Sequence, residues 1–138
     1  MLDVILEKFS DITKKCLDKH SKEFGVEKQD VQLVFKLDAS DDVQYLMKKN
    51  FKTEKVLTFL QVLGVKLDFK GYSLFVPKFI KGALERLSKE NSIDLDKVFV
   101  LLRYNKKEQL VLWLYNYITP VKQIELTSLF DSSDLMEE

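Results

Sequence analysis

The chain has 138 residues, of which 46% are hydrophobic and 12% aromatic, and its 22 basic residues balance 22 acidic ones. This composition predicts one folded domain and excludes a disordered chain, whose hydrophobic content would be lower. No apolar stretch is long enough to cross a bilayer, and a single cysteine excludes an internal disulfide or a four-cysteine zinc site. We therefore expect a cytoplasmic protein that does not bind membranes.

The first elements show periodic patterns. Apolar residues recur every three or four positions near the N-terminus, which predicts an amphipathic helix that ends at Gly25. Residues 31–37 alternate between apolar and mostly polar side chains, which predicts a lone strand. Ser40 then suits an N-cap, and the acidic residues after it suit a first helical turn, so a short helix to about Lys49 is expected.

The middle of the chain has the element order of a winged helix-turn-helix, spanning residues 40–76. A second helix would begin at Thr53 and end at Gly64, and a β-hairpin with its turn at Gly71 would follow. In that architecture the second helix enters the major groove and the hairpin contacts the DNA backbone. The predicted fold class is therefore α+β: a single domain with an N-terminal helix, a lone strand, a winged helix-turn-helix-like middle, a second hairpin and a C-terminal element.

The final third is less clearly patterned. Pro77 suits the first turn of a helix, and the apolar runs 98–104 and 110–117 favour a second hairpin, with two buried helices as the alternative. Residues 119–130 indicate a last helix, although part of this run also suits a strand. The acidic residues 131–138 are expected to form a flexible tail outside the domain, and no internal repeat is apparent.

The balanced charge hides an uneven distribution. Residues 48–89 carry ten Lys or Arg against three Asp or Glu, whereas the segments on either side are acidic. Clustered cations attract polyanions such as nucleic acid. In the alternative, the acidic flanks fold over this block and compensate its charge. In the winged-helix arrangement, lysines would contact phosphates and two polar residues would face base edges. The candidate nucleic-acid-binding residues are Lys48, Lys49, Lys52, Lys55, Thr58, Gln61, Lys66 and Lys70.

The aromatic C-terminal third suggests a protein partner instead. The spacing of Gln123 and the apolar residues after it resembles the short peptides with which replication proteins bind sliding clamps. More generally, an acidic and hydrophobic segment can dock into a groove of a partner. The candidate partner-binding residues are Trp113, Tyr115, Tyr117, Leu126, Leu129 and Phe130.

The chain offers little catalytic chemistry. His20 is the single histidine and Cys16 lies one helical turn before it, which supplies two metal ligands at most. Aspartates at 38–42 and 94–96 could hold a divalent cation, but such acids are more typical of caps. We therefore predict a non-enzymatic regulatory or accessory protein without metal or cofactor, which binds nucleic acid or, alternatively, acts as a protein-interaction module. The scarcity of alanine, proline and arginine beside many lysines indicates an AT-rich genome, such as a phage.

Overall fold

The computed structural model describes residues 2–64 and 76–131, which contain a six-stranded antiparallel sheet with helices on one face. The strands are β1 (Val31–Leu37), β2 (Val43–Lys49), β3 (Lys52–Leu57), β4 (Val98–Tyr104), β5 (Leu110–Asn116) and β6 (Thr119–Ile124). They lie in the spatial order β3-β2-β1-β4-β5-β6. The helices are α1 (Leu2–Phe24), α2 (Phe59–Leu63) and α3 (Val76–Glu90), and short 3₁₀ turns occupy Lys28–Asp30 and Leu126–Leu129.

The core lies between the helices and one face of the sheet. Alternate residues of each central strand point toward the helices, so β1 contributes Leu33 and Phe35, both fully buried. Phe9 of α1 packs between Phe35 and Phe130, with ring centroids 5.9 Å and 4.9 Å away. Burying each such side chain stabilises the fold by about 1.5–3 kcal/mol. The two central strands are therefore anchored from the helical side.

Several predicted elements are confirmed. Helix α1 ends immediately before Gly25, whose φ of 68° lies in the left-handed region that glycine adopts at low cost. The strand at 31–37 is present with the expected bounds, although it is a central strand rather than a lone one. Helix α3 carries Pro77 in its first turn. The apolar runs of the final third form the β4–β5 hairpin.

The winged helix-turn-helix prediction is wrong, because residues 43–57 form the β2–β3 hairpin of a sheet-dominated fold. The acidic residues at 38–42, which predict a helix start, instead form the turn before β2. The Oδ1 atom of Asp38 accepts the N–H groups of Ser40 and Asp42 at 2.8 and 3.0 Å. Asp41 has a φ of 62°, which ends any helical path. An Asp side chain satisfies backbone N–H groups in a turn as well as at a helix cap.

The predicted recognition helix reduces to α2, which has five residues and follows Thr58. Thr53 does not cap a helix, since it lies within β3, after the two-residue turn Asn50–Phe51. The predicted wing at 65–76 falls almost entirely outside the described residues, except Val76, which begins α3.

The C-terminal helix prediction is also wrong. Residues 119–124 form the edge strand β6, so the strand alternative applies to this segment, and a 3₁₀ turn follows it. Pro120 is compatible with an edge strand because its missing N–H leaves no ladder bond unmade on the open side. Of the predicted acidic tail, only Asp131 lies within the described residues.

The sheet contains a structural repeat, so the expectation that the chain has no internal repeat is wrong. Strands β4, β5 and β6 begin 67 residues after β1, β2 and β3, respectively. The burial patterns of β2 and β5 are the same, as are those of β3 and β6. Turn residues with positive φ recur at the same offset, in the pairs Gly25 and Ser92, Asp41 and Glu108, and Asn50 and Tyr117. The chain is therefore an internal duplication of one helix-and-three-strand unit.

The two halves are related by a pseudo-two-fold axis. Val34 pairs directly with Leu101 in the β1–β4 register. Leu101 lies 67 residues after Val34, so it is also the residue of the second half that is equivalent to Val34. A residue that lies beside its own equivalent marks the position of the axis, which is perpendicular to the sheet at this pair. The clearest sequence trace is in the helices, where Leu17, Ser21, Lys22 and Glu23 recur as Leu84, Ser88, Lys89 and Glu90.

Candidate nucleic-acid interface

The sheet has a second face, which carries none of the described helices and which we call the outer face. Its members alternate with the core residues along each strand and are matched across strands by the pairing register. They are Gln32, Val34, Lys36, Gln44, Leu46, Lys48, Thr53, Val56, Phe99, Leu101, Arg103, Val111, Trp113, Tyr115, Pro120 and Gln123.

The centre of the outer face is buried. Val34 and Leu101 are only 1% and 2% exposed, although neither belongs to the core cluster under the helices. Lys48 extends across the face, and its Nζ atom lies 5.8 Å from the centroid of the Phe99 ring. Lysine stems commonly cover apolar surface in this way while the ammonium group remains near water.

Two aromatic rings stack on this face. Phe99 and Tyr115 are cross-strand partners, and their rings are nearly parallel, with centroids 4.8 Å apart. The Lys48 ammonium approaches Phe99, and Pro120 is the cross-strand neighbour of Tyr115 on the other side. The Phe99 ring and one face of the Tyr115 ring are therefore already engaged within the protein, and Trp113 lies half-buried in the adjacent row.

The described strands place three cations on the outer face. Lys36, Lys48 and Arg103 project from it, and none of them forms an ion pair with another described residue. No strand position of the face carries a carboxylate in the described segments. Burial lowers the pKa of the Lys48 ammonium, and the nearby charge of Lys36 lowers this pKa further. A bound anion would relieve both effects.

Sequence reasoning missed two of these three cations. Lys36 and Arg103 lie outside the basic block, at positions that the duplication makes equivalent. The alternation within residues 31–37 already placed Lys36 opposite the apolar side chains, so its side of the strand could have been read from the sequence. Its proximity to Lys48 depends on strand pairing and could not.

The predicted nucleic-acid-binding lysines are dispersed by the fold. Lys49 forms an ion pair with Glu54, with a nitrogen-to-oxygen distance of 3.3 Å, and Lys55 is bound to Glu23 of α1. The acidic first helix therefore compensates part of the basic block. Lys52 is exposed at the start of β3, and only Lys48 belongs to the outer face. Lys66 and Lys70 lie outside the described residues.

The two predicted base-reading residues have a structural role. Thr58 Oγ1 accepts the Gln61 N–H at 3.1 Å, and Gln61 Oε1 accepts the Thr58 N–H at 2.8 Å. This reciprocal capping box satisfies two N–H groups at the start of α2. Both side chains therefore have partners at the helix start and do not face the outer face.

The predicted partner-binding residues divide into separate groups. Trp113 and Tyr115 belong to the outer face, and Tyr117 is 67% exposed at the β5–β6 turn. Leu126 is half-buried against the core. Leu129 and Phe130 are 0% and 1% exposed, so the main apolar residues of the segment that resembles a clamp-binding peptide are packed inside the domain, and its binding to a partner stays a prediction. A docking peptide must present those side chains to its partner.

The residues that the sequence offered for catalysis or metal binding lie on α1 and in two acidic loops. Cys16 and His20 are buried on α1, where the ring Nδ1–H of His20 donates to the carbonyl of Cys16 at 2.8 Å. Burial raises the pKa of the Cys16 thiol to about 12, which keeps it protonated at neutral pH. The structure brings Asp38, Asp41 and Asp96 around one cleft of ≈ 340 Å³. Within the described residues, no group of acids, histidines or cysteines has the arrangement to hold a metal ion.

Comparisons with protein-family models, curated proteins and solved structures found no match to this chain. None of the helices in residues 2–64 and 76–131 has the length and apolar character that a membrane crossing requires. The function must therefore be argued from the surface of this chain itself.

Proposed function

We propose that the protein binds single-stranded nucleic acid on its outer face and acts through this binding rather than through catalysis. The observation that carries the proposal is the set of three cations, Lys36, Lys48 and Arg103, which form no ion pair with another described residue and lie on a sheet face whose described strand positions hold no carboxylate. Like charges on one face repel each other, and a bound anion reduces this repulsion. A phosphate backbone supplies such anions at regular spacing.

Two features favour a single strand over a duplex. The outer face is broad, whereas duplex readers insert a helix or a two-stranded ribbon into a groove. Sheets that bind single strands combine cations for phosphates with aromatic side chains near the bases. Here Trp113 lies half-buried in the same face as the cations, in the row next to the stacked pair of Phe99 and Tyr115. The geometry therefore supports a ligand with flexible backbone and accessible bases.

Fluorescence anisotropy with labelled oligonucleotides tests the proposal. Single strands of about 12 nucleotides should bind more tightly than the matching duplex. The affinity should fall as the salt concentration rises. Each phosphate contact on a single strand contributes about 0.7 to the slope of log affinity against log salt concentration, so three contacts predict a slope of about 2 in magnitude. Absence of binding to both DNA and RNA at low salt would reject the proposal and leave the outer face to the protein-interaction alternative.

Charge-matched variants locate the site. Lys36→Gln, Lys48→Gln and Arg103→Gln should each weaken binding about 3- to 10-fold at low salt and reduce the salt slope by about 0.7. Lys78→Gln is the control, because it removes the same charge from an exposed position on α3, at the helical side of the sheet. If Lys78→Gln weakened binding as much as the other three, the attraction would come from general charge and the outer face would not be the site.

A further inference from the structure

The β2–β3 turn holds an aromatic residue in an unfavourable position. Asn50 and Phe51 have φ values of 49° and 65°, the mirror-image turn that connects hairpin strands and that favours glycine at its second position. Asn tolerates this conformation, whereas a residue as bulky as Phe rarely adopts it. The Phe51 side chain is also 54% exposed to solvent. Backbone strain and exposed apolar surface therefore coincide at one residue, which is typical of functional sites.

The turn is fixed to the edge of the outer face. The Phe51 N–H donates to Gln32 Oε1 at 2.8 Å, and Gln32 is fully buried. Gln32 is itself an outer-face residue and pairs directly with Lys48 in the β1–β2 register. Its Nε2 group has no hydrogen-bond partner in the described part of the chain, so this anchor is retained despite an unsatisfied donor. The backbone of Phe51 is thus fixed to the outer-face residue that pairs with Lys48.

Phe51 also differs from the stacked pair of the outer face. Phe99 and Tyr115 stack on each other and Lys48 lies over Phe99, so the Phe99 ring and one face of the Tyr115 ring are engaged. Among the described residues, no ring contact or cation contact involves Phe51. A base can stack only on a ring whose face is free. The structure therefore leaves this ring available to a ligand.

We infer that Phe51 stacks on an unpaired base of the strand whose phosphates contact Lys48 and Lys36. The inference rests on the proposed function and narrows its ligand to one with an accessible base at the end of the outer face next to the β2–β3 turn. Because stacking is independent of charge, loss of the ring should lower the affinity without changing the salt slope. Substitution of an aromatic residue that stacks on a base by alanine typically lowers the affinity about 5- to 100-fold.

The duplication supplies a matched control. Ile118 is the equivalent of Phe51 in the β5–β6 turn, at the diagonally opposite corner of the sheet, and it is 76% exposed. Phe51→Ala should weaken binding of a single-stranded oligonucleotide, whereas Ile118→Ala should not. Phe51→Trp should retain wild-type affinity or exceed it, which separates loss of the ring from disturbance of the turn.

Oligonucleotides with one abasic position, moved stepwise along the strand, identify the stacked base. At one position the wild-type protein should lose affinity and the penalty of Phe51→Ala should disappear, because the base that Phe51 would contact is missing. A penalty that stays the same for every abasic ligand would overturn the inference, as would equal losses for Phe51→Ala and Ile118→Ala. Wild-type affinity in Phe51→Ala together with weak binding in Lys48→Gln would overturn it while leaving the proposed function intact. No binding by the wild-type protein would instead reject the proposed function itself.

Discussion

Phe130 should be essential to the stability of the fold. Its side chain is 1% exposed and contacts two other rings, those of Phe9 and Phe79, at centroid distances of 4.9 and 5.4 Å. An aromatic side chain buries roughly 150 Å² or more, which at about 25 cal/mol per Å² gives close to ~4 kcal/mol. Loss of the ring pairs and the cavity left behind place Phe130→Ala at about 3–5 kcal/mol. That is a large part of the ~5–15 kcal/mol available to a domain.

Urea denaturation followed by circular dichroism measures this cost directly, and the thermal midpoint should fall by roughly 10 °C or more for a chain of this size. Ile118→Ala is the control, because its side chain is 76% exposed and its loss should change the free energy of unfolding by less than about 0.5 kcal/mol. A Phe130→Ala variant as stable as the wild type would refute the reasoning. The C-terminal segment would then be free to dock on a partner.

Three further predictions follow from individual contacts. Thr58→Ala removes the acceptor for the Gln61 N–H, so unfolding should cost about 1 kcal/mol less while oligonucleotide affinity stays unchanged; reduced affinity would show a base-reading role. The hydrogen bond from Lys55 holds the pKa of Glu23 below its ordinary 4.5. Wild type should therefore exceed Glu23→Gln in stability by a constant amount above pH 4.5, and this difference should vanish as the pH falls through the lowered pKa. Urea titrations in which the two stabilities do not converge at low pH would contradict a stabilising Lys55–Glu23 contact. Cys16 should react with a thiol reagent only as fast as the protein opens, and rapid native-state labelling would show that it is not buried.

The sequence predicts a helix or strand correctly where residues within the element or at its ends mark it. The periodicity before Gly25 and the proline at the start of α3 mark helices whatever the rest of the chain does. The alternation in residues 31–37 and the polar turn between β4 and β5 mark strands in the same way. These elements supply much of the core, so the sequence predicts which residues are buried better than it predicts how the strands are arranged.

Elsewhere the deciding contacts are remote in sequence. Acids at 38–42 satisfy backbone N–H groups in a turn or a helix cap, and pairing of β2 with β1 determines which one forms. The Asn50–Phe51 turn lacks the glycine that normally signals a hairpin. The repeat is difficult to detect in the sequence because one burial pattern tolerates many substitutions. Only a short helical segment is still similar between the halves.

The sequence indicated the class of ligand but did not identify most residues of the candidate site. Excess positive charge in the middle of the chain indicated a polyanionic ligand, but most of those lysines lie elsewhere or are ion-paired. Lys36 shares the outer face with Lys48 because β1 pairs with β2, and Arg103 joins them because β1 and β4 pair across the pseudo-two-fold axis. Such a juxtaposition depends on register over a separation of 67 residues, which composition and periodicity do not encode.

Titration of the isotope-labelled protein with a single-stranded oligonucleotide, followed by amide NMR, tests the central claim most directly. Binding on the outer face predicts that chemical shifts change around Lys36, Lys48, Phe99 and Arg103 and at the Phe51 turn, while the exposed side of α3 is unaffected. Shifts confined to the helical side, or no shifts at low salt, would contradict the account.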